Sequence, residues 1–492
     1  MNMKKIFKIR FILLFLALSM QFSCNNFLEL IPPGGLVREE FWKTKEDVEA
    51  VLMGAYQSFA SMDGSLFTYG EARGDMVKAD YNLGSGERNL MESNIYPDNW
   101  LCNWNNFYKV INYCNDVIKN APIVQKKDNT FTEFHLKGLM SEAIWLRSLN
   151  YFYLVRLFND VPLVLEPSES DDVDFYLPNT KGEAVLEAIL KDLNEYRPFA
   201  TDGYKSLEEV KGRATKAAFD ALLADISLWN FDYNKTIEYC NRILGNKEFV
   251  MMPGTRWFEL YYPGNSLESI YELQFEDKYN QKNATYGITN RYSNNYDPST
   301  RAVELFARQY AVEITRGEDA SITKLSEDDY LIWKFVGRAP DGKTERTGSD
   351  QSSCNWIVYR LAEIHLMKAE ALSQLNRYGE ALTIINFIRE RANVVPIVVG
   401  NSAIAFEDAV MEERALELAF EGKRWFDLLR MGRRNNYSRK DKLVETIIKN
   451  VPSTQKRILS AKLSNPLGWY LPIYKGEIER NKNLVQNPYY KF

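Results

Sequence analysis

The sequence predicts a mainly α-helical protein, a scaffold of helical pairs with an irregular, loop-rich insert that contains short strands. Apolar residues recur at helical spacing over about 40–248 and 354–434. Pairs of predicted helices joined by short turns recur at 104–158, 181–244 and 356–392. From about 249 to 353 this periodicity fades, and Pro, Gly, Asn and Asp punctuate short aromatic runs.

The first half of the chain contains six predicted helices. The earliest starts after Thr44, a good N-cap residue, and 134–158 is apolar almost all round, which predicts burial on more than one side. The six predicted helices span 45–58, 103–120, 134–158, 181–196, 214–230 and 234–244.

Two runs in the middle, 270–275 and 330–336, have the composition of strands. Helices are predicted again at 356–374, 380–392 and 408–433. The run AEALSQLNRYGEALTIIN, two amphipathic segments around a short turn, resembles a tetratricopeptide unit. Units of this kind stack side by side into an extended scaffold.

Composition excludes several function classes. A net charge of −5 provides no basic footprint for nucleic acid. Only two His are present, and none of the five Cys forms a C-x-x-C pair, so the sequence predicts no metal centre and no cofactor. Aromatic residues make up 13% of the chain, a composition that suits a binding protein.

The N-terminus reads as a targeting segment. A basic start is followed by the apolar run 11–18, which is too short to cross a bilayer. Ser23-Cys24 then resembles the cleavage site of bacterial lipoproteins, which predicts a signal peptide over 1–23 and lipidation of Cys24. The alternative is ordinary signal-peptide cleavage beside an incidental Cys.

The loop NRYSNNYD at 290–297 is the first candidate for ligand binding. Tyr rings can stack on the apolar faces of sugar rings, and neighbouring amide and guanidinium groups can bond the hydroxyls. The candidates in this loop are Arg291, Tyr292, Asn295 and Tyr296.

A second candidate is YPDNWLCNW at 96–104. Trp100, beside Asn99, precedes the helical stripe and can serve as a stacking platform, whereas Trp104 lies on the stripe and is predicted to be core. Arg73 and Asp75 either contact the ligand or form an ion pair that fixes their loop. Trp333 alternates with apolar neighbours, so either a core position or a ligand contact fits it.

Six segments together resemble the SusD/RagB family of outer-membrane lipoproteins of Bacteroidetes. They include AIWLRSLNYFYLVRLFNDVP, which ends a long helix in an N-D-V-P turn, and the stretch FEGKRWFDLLRMGR. Their order along the chain matches that of the family. The segments are 24–56, 142–162, 212–224, 359–392, 412–432 and 468–490.

The resemblance implies a single SusD-like domain over 24–492, with a ligand-binding insert at about 249–353 and a closing segment at 435–492. It also implies a lipid-anchored protein of the outer membrane, facing outward, that captures a glycan and delivers it to a SusC-like TonB-dependent barrel transporter. The family is not catalytic.

Other functions remain open at this stage. A peptide-binding receptor of the same family is the nearest alternative, and a tetratricopeptide scaffold for partner peptides is another. A glycoside hydrolase needs two carboxylates flanking a cleft. With 66 Asp and Glu, such pairs are inevitable and carry little weight.

In FEGKRWFDLLRMGR, charges of alternating sign recur every three residues, at Glu421, Arg424, Asp427 and Arg430. On a helix with two apolar faces these charges are partly buried and must pair. We therefore predict structural ion pairs here rather than a ligand clamp.

Overall fold

The computed structural model describes residues 41–168, 175–290, 294–309, 315–327, 329–346 and 353–490. Within these ranges, the structure has no helix that is both long and apolar enough to cross a membrane.

The fold is mainly helical, as the sequence predicts. The helices, numbered in chain order, are α1 (Lys45–Ala60), α2 (Asp63–Glu71), α3 (Ser85–Met91), α4 (Asn105–Gln125), α5 (Glu133–Phe158), α6 (Gly182–Tyr196), α7 (Leu207–Gly212), α8 (Lys216–Trp229), α9 (Tyr233–Leu244), α10 (Thr285–Thr289), α11 (Thr300–Ala307), α12 (Leu361–Gln374), α13 (Tyr378–Arg391), α14 (Ala403–Glu417), α15 (Arg424–Tyr437), α16 (Lys440–Ile448), α17 (Ser453–Leu463) and α18 (Lys475–Arg480).

The described strands form three small antiparallel pairs. These are β1 (Val77–Ala79) with β3 (Tyr296–Pro298), β2 (Ser269–Leu273) with β6 (Trp356–Arg360), and β4 (Ile322–Ser326) with β5 (Asp329–Ile332). Two of these pairs join residues far apart in sequence, so the strands tie the middle of the chain to the helices on either side of it.

The long helices confirm the sequence prediction to within a few residues. In α5 every residue from Leu139 to Phe158 is buried, as its all-round apolar sequence predicts. Successive helices pack against each other in pairs, α4 with α5, α8 with α9 and α12 with α13. One large core runs through these pairs, and a small second cluster of Ala362, Leu366, Ile388 and Leu418 lies at α12 and α13.

Three predicted elements are wrong. The first turn of the predicted helix 356–374 is instead the strand β6, because Ile357 and Tyr359 pair with β2, which lies about ninety residues earlier. The predicted strand 330–336 ends at Ile332. The predicted helix 408–433 is two helices, α14 and α15, separated by a break.

The break between α14 and α15 is held by α2. Phe420 and Gly422 have φ of 67° and 71°, in the left-handed region that ends a helix. A Cβ on Gly70 would lie 1.9 Å from the Gly422 carbonyl oxygen, so only glycine permits this approach. Glu71 Oε1 then accepts the Gly422 and Lys423 N–H groups at 2.8 and 3.1 Å, which caps the start of α15.

Candidate functional site

The charges around the helix break are buried and paired. Glu421 Oε2 accepts from Arg360 Nε at 2.9 Å, and its Oε1 accepts from Arg360 Nη2 and Lys334 Nζ, both at 2.8 Å. Burial alone raises the pKa of Glu421, but the two cationic partners outweigh it and bring the pKa to about 2. Glu417 and Glu268 bind the same Arg360 guanidinium at 2.8 and 2.7 Å.

The rest of the signature stretch is paired in the same way. Arg424 binds Asp75, Asp427 binds Arg430, and Arg430 also binds Glu370 at 2.9 and 2.6 Å. All of these groups are buried. The predicted structural ion pairs are therefore present. Most of their partners come from distant elements rather than from a single continuous helix.

Arg73 and Asp75 belong to the interior, which corrects their candidacy as ligand contacts. Arg73 is buried, donates to the carbonyls of Trp469 and Gly468 at 2.5 and 2.8 Å, and lies over the Trp425 ring. Asp75 is fully buried against Arg424, at 2.5 and 3.0 Å. Both side chains hold the ends of the fold together, and neither faces solvent.

Tyr296 and Trp333 are also interior residues, which corrects Tyr296 as a candidate ligand contact. Tyr296 is fully buried in β3, its ring centroid lies 5.4 Å from that of Phe67, and its hydroxyl is 3.3 Å from that of Thr68. Trp333 is 8% exposed and follows β5 into the core, which agrees with its core alternative. Arg291 and Tyr292 lie outside the described residues, as does Cys24.

Trp100 lies on the surface, with 52% of its area exposed. It begins a short 3₁₀ turn that Asn99 caps, since the Asn99 side chain accepts from Leu101 N–H at 3.0 Å. Asn99 also donates to the Gly86 carbonyl of α3 at 2.9 Å. A Cβ on Gly86 would lie 2.6 Å from the Trp100 indole nitrogen, so the indole rests directly against this glycine. The ring is thereby held in one place while remaining open to solvent.

Asn295, from the first predicted loop, lies beside the segment that leads into α3. Its carbonyl accepts from Asp80 N–H at 2.9 Å, an extension of the β1–β3 pairing. Arg88 of α3 donates to the carbonyl of the same Asp80 at 3.0 Å. The segment 80–88 thus contacts both predicted regions, 294–295 on one side and 99–100 on the other.

Two further exposed aromatic residues lie in this neighbourhood: Tyr81, which the sequence reasoning missed, and Tyr96, which lies in the second candidate stretch but was not singled out there. Tyr81 is 95% exposed, and Tyr96 is 56% exposed in the turn that leads to Trp100. The sequence could have predicted Tyr81 as a candidate. It is an aromatic residue followed by Asn82 in a glycine-rich loop, and the predicted loop 290–297 also combines aromatic and amide side chains. We call the set Tyr81, Asn82, Tyr96, Asn99, Trp100 and Asn295 the aromatic surface.

Asp297, two residues after Asn295, has a buried carboxyl group whose pKa is raised. Burial, together with the nearby Asp80 and Asp329 carboxylates, raises the pKa of Asp297 to about 6, although the Lys78 ammonium at 3.9 Å opposes the shift. The Asp297 side chain therefore changes charge in mildly acidic solution.

The described part of the chain shows neither a metal site nor a reactive thiol. It contains no group of three or more His, Cys, Asp or Glu side chains arranged to hold a metal ion. Cys102, Cys114, Cys240 and Cys354 are buried and unpaired. Burial raises the pKa of each of these thiols, so each is held as the unreactive thiol.

Two family models match the chain. The SusD family model matches residues 229–490, and a model described as "starch-binding associating with outer membrane" matches residues 26–228. The chain belongs to the SusD family. The RagB name is part of the same family model, as the sequence resemblance predicts.

Curated relatives cover most of the chain. SusD-like protein P2 of Formosa agariphila is 27% identical over 474 residues, which are 87% of this chain and 91% of that protein. SusD-like protein P38 of the same organism is 25% identical over 468 residues, 85% of this chain and 90% of that one.

Solved structures share the fold. A SusD superfamily protein from Bacteroides vulgatus superposes with a TM-score of 0.75 at 19% identity, covering 91% of this chain and all of that one. A structure described as a laminarin-binding SusD-like protein has a TM-score of 0.71 at 22% identity, covering 91% of this chain and 99% of that one.

Proposed function

We propose that this protein is a lipoprotein of the outer membrane that captures a glycan at the aromatic surface and delivers it to a SusC-like TonB-dependent barrel transporter. It performs no chemistry on the glycan. Lipid attached at Cys24 anchors it, facing outward. Membership of the SusD family and the laminarin-binding description of one structural relative support a carbohydrate ligand.

The observation that carries this proposal is Trp100. A ring half open to solvent, resting against Gly86 and flanked by Asn99, has the features that sugar recognition needs. The apolar faces of a sugar stack on an aromatic ring, and amide groups bond its hydroxyls in both directions. Tyr81, in the neighbouring segment 80–88, and Tyr96, in the turn before Trp100, provide further exposed rings.

The buried ion pairs around Arg360 and Glu421, which we call the ion-pair cluster, do not form a binding or catalytic site. Its carboxylates are fully buried and saturated with arginine and lysine partners, so none is placed to act as the acid or nucleophile of a glycosidase. Incubation of the pure protein with laminarin or starch is expected to release no reducing ends.

Affinity gel electrophoresis tests the proposal, with laminarin, starch and other polysaccharides cast one at a time into native gels. We expect retardation of the wild type by at least one of them, and loss of most of that retardation in Trp100→Ala. The matched control is Phe134→Ala. Phe134 is 78% exposed at the start of α5. The far end of that helix, roughly 36 Å away along the axis, is the end near Trp100, because the Phe158 ring there lies 5.3 Å from the ring of Trp104.

Two results would contradict the proposal. One is retardation that survives Trp100→Ala, Tyr81→Ala and Tyr96→Ala together, which places the ligand elsewhere. The other is binding of peptides with no binding of any polysaccharide, which favours the peptide receptor. Equal loss in Phe134→Ala would mean that the Trp100 effect is not local.

A further inference from the structure

A cleft of about 630 Å³ borders the segment that carries Trp100, because Trp104 is one of its lining residues. Trp104 and Tyr108 line it from the start of α4, where Trp104 is the N-cap residue, and Glu477 and Arg480 line it from α18. An extended segment contributes Phe175 and Tyr176. The volume is within the range of about 300–1,000 Å³ that small-molecule sites occupy.

The cleft has an aromatic lip. Phe175 is 52% exposed and Tyr176 is 57% exposed, and the two rings are adjacent in sequence. The backbone at Tyr176 and Leu177 is held in place, because Asn483 donates to the Tyr176 carbonyl at 2.7 Å and Asn481 donates to the Leu177 carbonyl at 2.8 Å. Large exposed rings on a fixed backbone are costly to leave in water and mark an interaction site.

Polar groups face these rings from α18. Arg480 Nη1 donates to Glu477 Oε1 at 2.9 Å, and the two side chains are 70% and 17% exposed. A guanidinium and a carboxylate held side by side offer donors and acceptors to neighbouring hydroxyls. This pairing of flat rings with planar polar groups suits a sugar better than it suits an apolar ligand.

The cleft is joined to the aromatic surface by two elements. Trp104 follows Trp100 by four residues at the start of α4. On the other side, Lys475 N–H, the start of α18, donates to the Pro97 carbonyl at 2.8 Å, next to Tyr96. Arg480 lies roughly 7.5 Å further along the axis of α18. A chain-like ligand that leaves Trp100 therefore meets the cleft within a few sugar units.

We infer that this cleft is a second carbohydrate subsite, which extends the aromatic surface and binds the continuing chain of an oligosaccharide or polysaccharide. The inference rests on the proposed function. It names the ligand class more closely, as a glycan long enough to reach from Trp100 to Phe175 and Tyr176.

The test compares a long and a short ligand from one polysaccharide that retards the wild type. The probes are laminarin with laminaritriose, or starch with maltotriose, measured by isothermal titration calorimetry. Phe175→Ala/Tyr176→Ala is expected to weaken polysaccharide binding at least about fivefold, as loss of an aromatic stacking contact does, and to leave trisaccharide affinity unchanged. Trp100→Ala is expected to weaken both, and Phe134→Ala neither.

Arg480→Ala provides a second variant that leaves both rings in place, and it is expected to weaken polysaccharide binding selectively. Thermal unfolding of each variant establishes that it is folded. If Trp100→Ala weakens binding while the cleft variants bind polysaccharide as the wild type does, the cleft inference is wrong and the proposed function stands. If no polysaccharide binds the wild type, both are wrong.

Discussion

Replacing Arg360 by Met tests whether the buried charges are structural. Arg360 is fully buried and makes hydrogen bonds to Glu421, Glu417 and Glu268 at 2.7–2.9 Å. Met fills a similar volume but has no charge, so these three buried carboxylates lose the cationic partner that they share. Breaking a buried ion pair by removing one partner costs about 3–5 kcal/mol.

The expected shift in melting temperature follows from chain length. At about 2.1 cal/mol/K per residue, the 492 residues correspond to an unfolding entropy of about 1 kcal/mol/K. A loss of about 3–5 kcal/mol then lowers Tm by about 3–5 °C. Differential scanning calorimetry of Arg360→Met measures this directly.

Arg377→Met is the matched control, because Arg377 also grips a carboxylate with two nitrogens, at 2.7 Å each to Glu380. That pair lies at the surface, where water screens the two charges, so its loss is expected to leave Tm nearly unchanged. Equal shifts in the two variants would refute the reasoning from burial. An unchanged Tm with lost glycan binding in Arg360→Met would make the cluster a ligand clamp.

Three further predictions concern pH, anchoring and the Trp100 platform. Burial raises the pKa values of Glu370 and Glu421, but their cationic partners outweigh it and hold both at about 2, so their stabilisation is complete above the ordinary value near 4.5. It is lost as pH falls toward 2. Tm is therefore expected to fall steadily between pH 5 and pH 3, and a flat profile in calorimetry would contradict this. Cys24→Ala is expected to move the protein from the membrane to the soluble fraction, and an unchanged fractionation would exclude lipidation there. Gly86→Ala is expected to displace the Trp100 indole, because a Cβ would lie 2.6 Å from the indole nitrogen. Polysaccharide binding is then expected to weaken with little change in Tm. Wild-type retardation of this variant in affinity electrophoresis would contradict the prediction.

The parts of the fold that were predictable from sequence are those governed by local periodicity. The ends of α5 and α9 are predicted to within one residue, because their apolar spacing and caps are local signals. The strand β6 was not predictable in this way. Trp356–Arg360 leads directly into α12, and it becomes a strand because β2 supplies hydrogen-bonding partners from far away in the chain.

The candidate site was predictable only in part, for the same reason. The exposure of Trp100 was predictable, because it precedes a helical stripe beside polar residues, and Trp100 stays a candidate for ligand binding. Arg73 and Asp75 looked equally suitable as polar contacts, but their partners Trp469 and Arg424 lie more than three hundred residues away. No local pattern reports such a pairing. Burial is a property of the whole fold, whereas helix periodicity is a property of a segment.

A crystal structure of the protein with an oligosaccharide from a polysaccharide that retards it would test the central claim most directly. We predict a sugar ring lying flat on the Trp100 indole at a contact distance of about 3.5–4 Å, with hydroxyls bonded to neighbouring amide side chains of the aromatic surface. Sugar bound at another face, with the Trp100 ring bare, would contradict the claim.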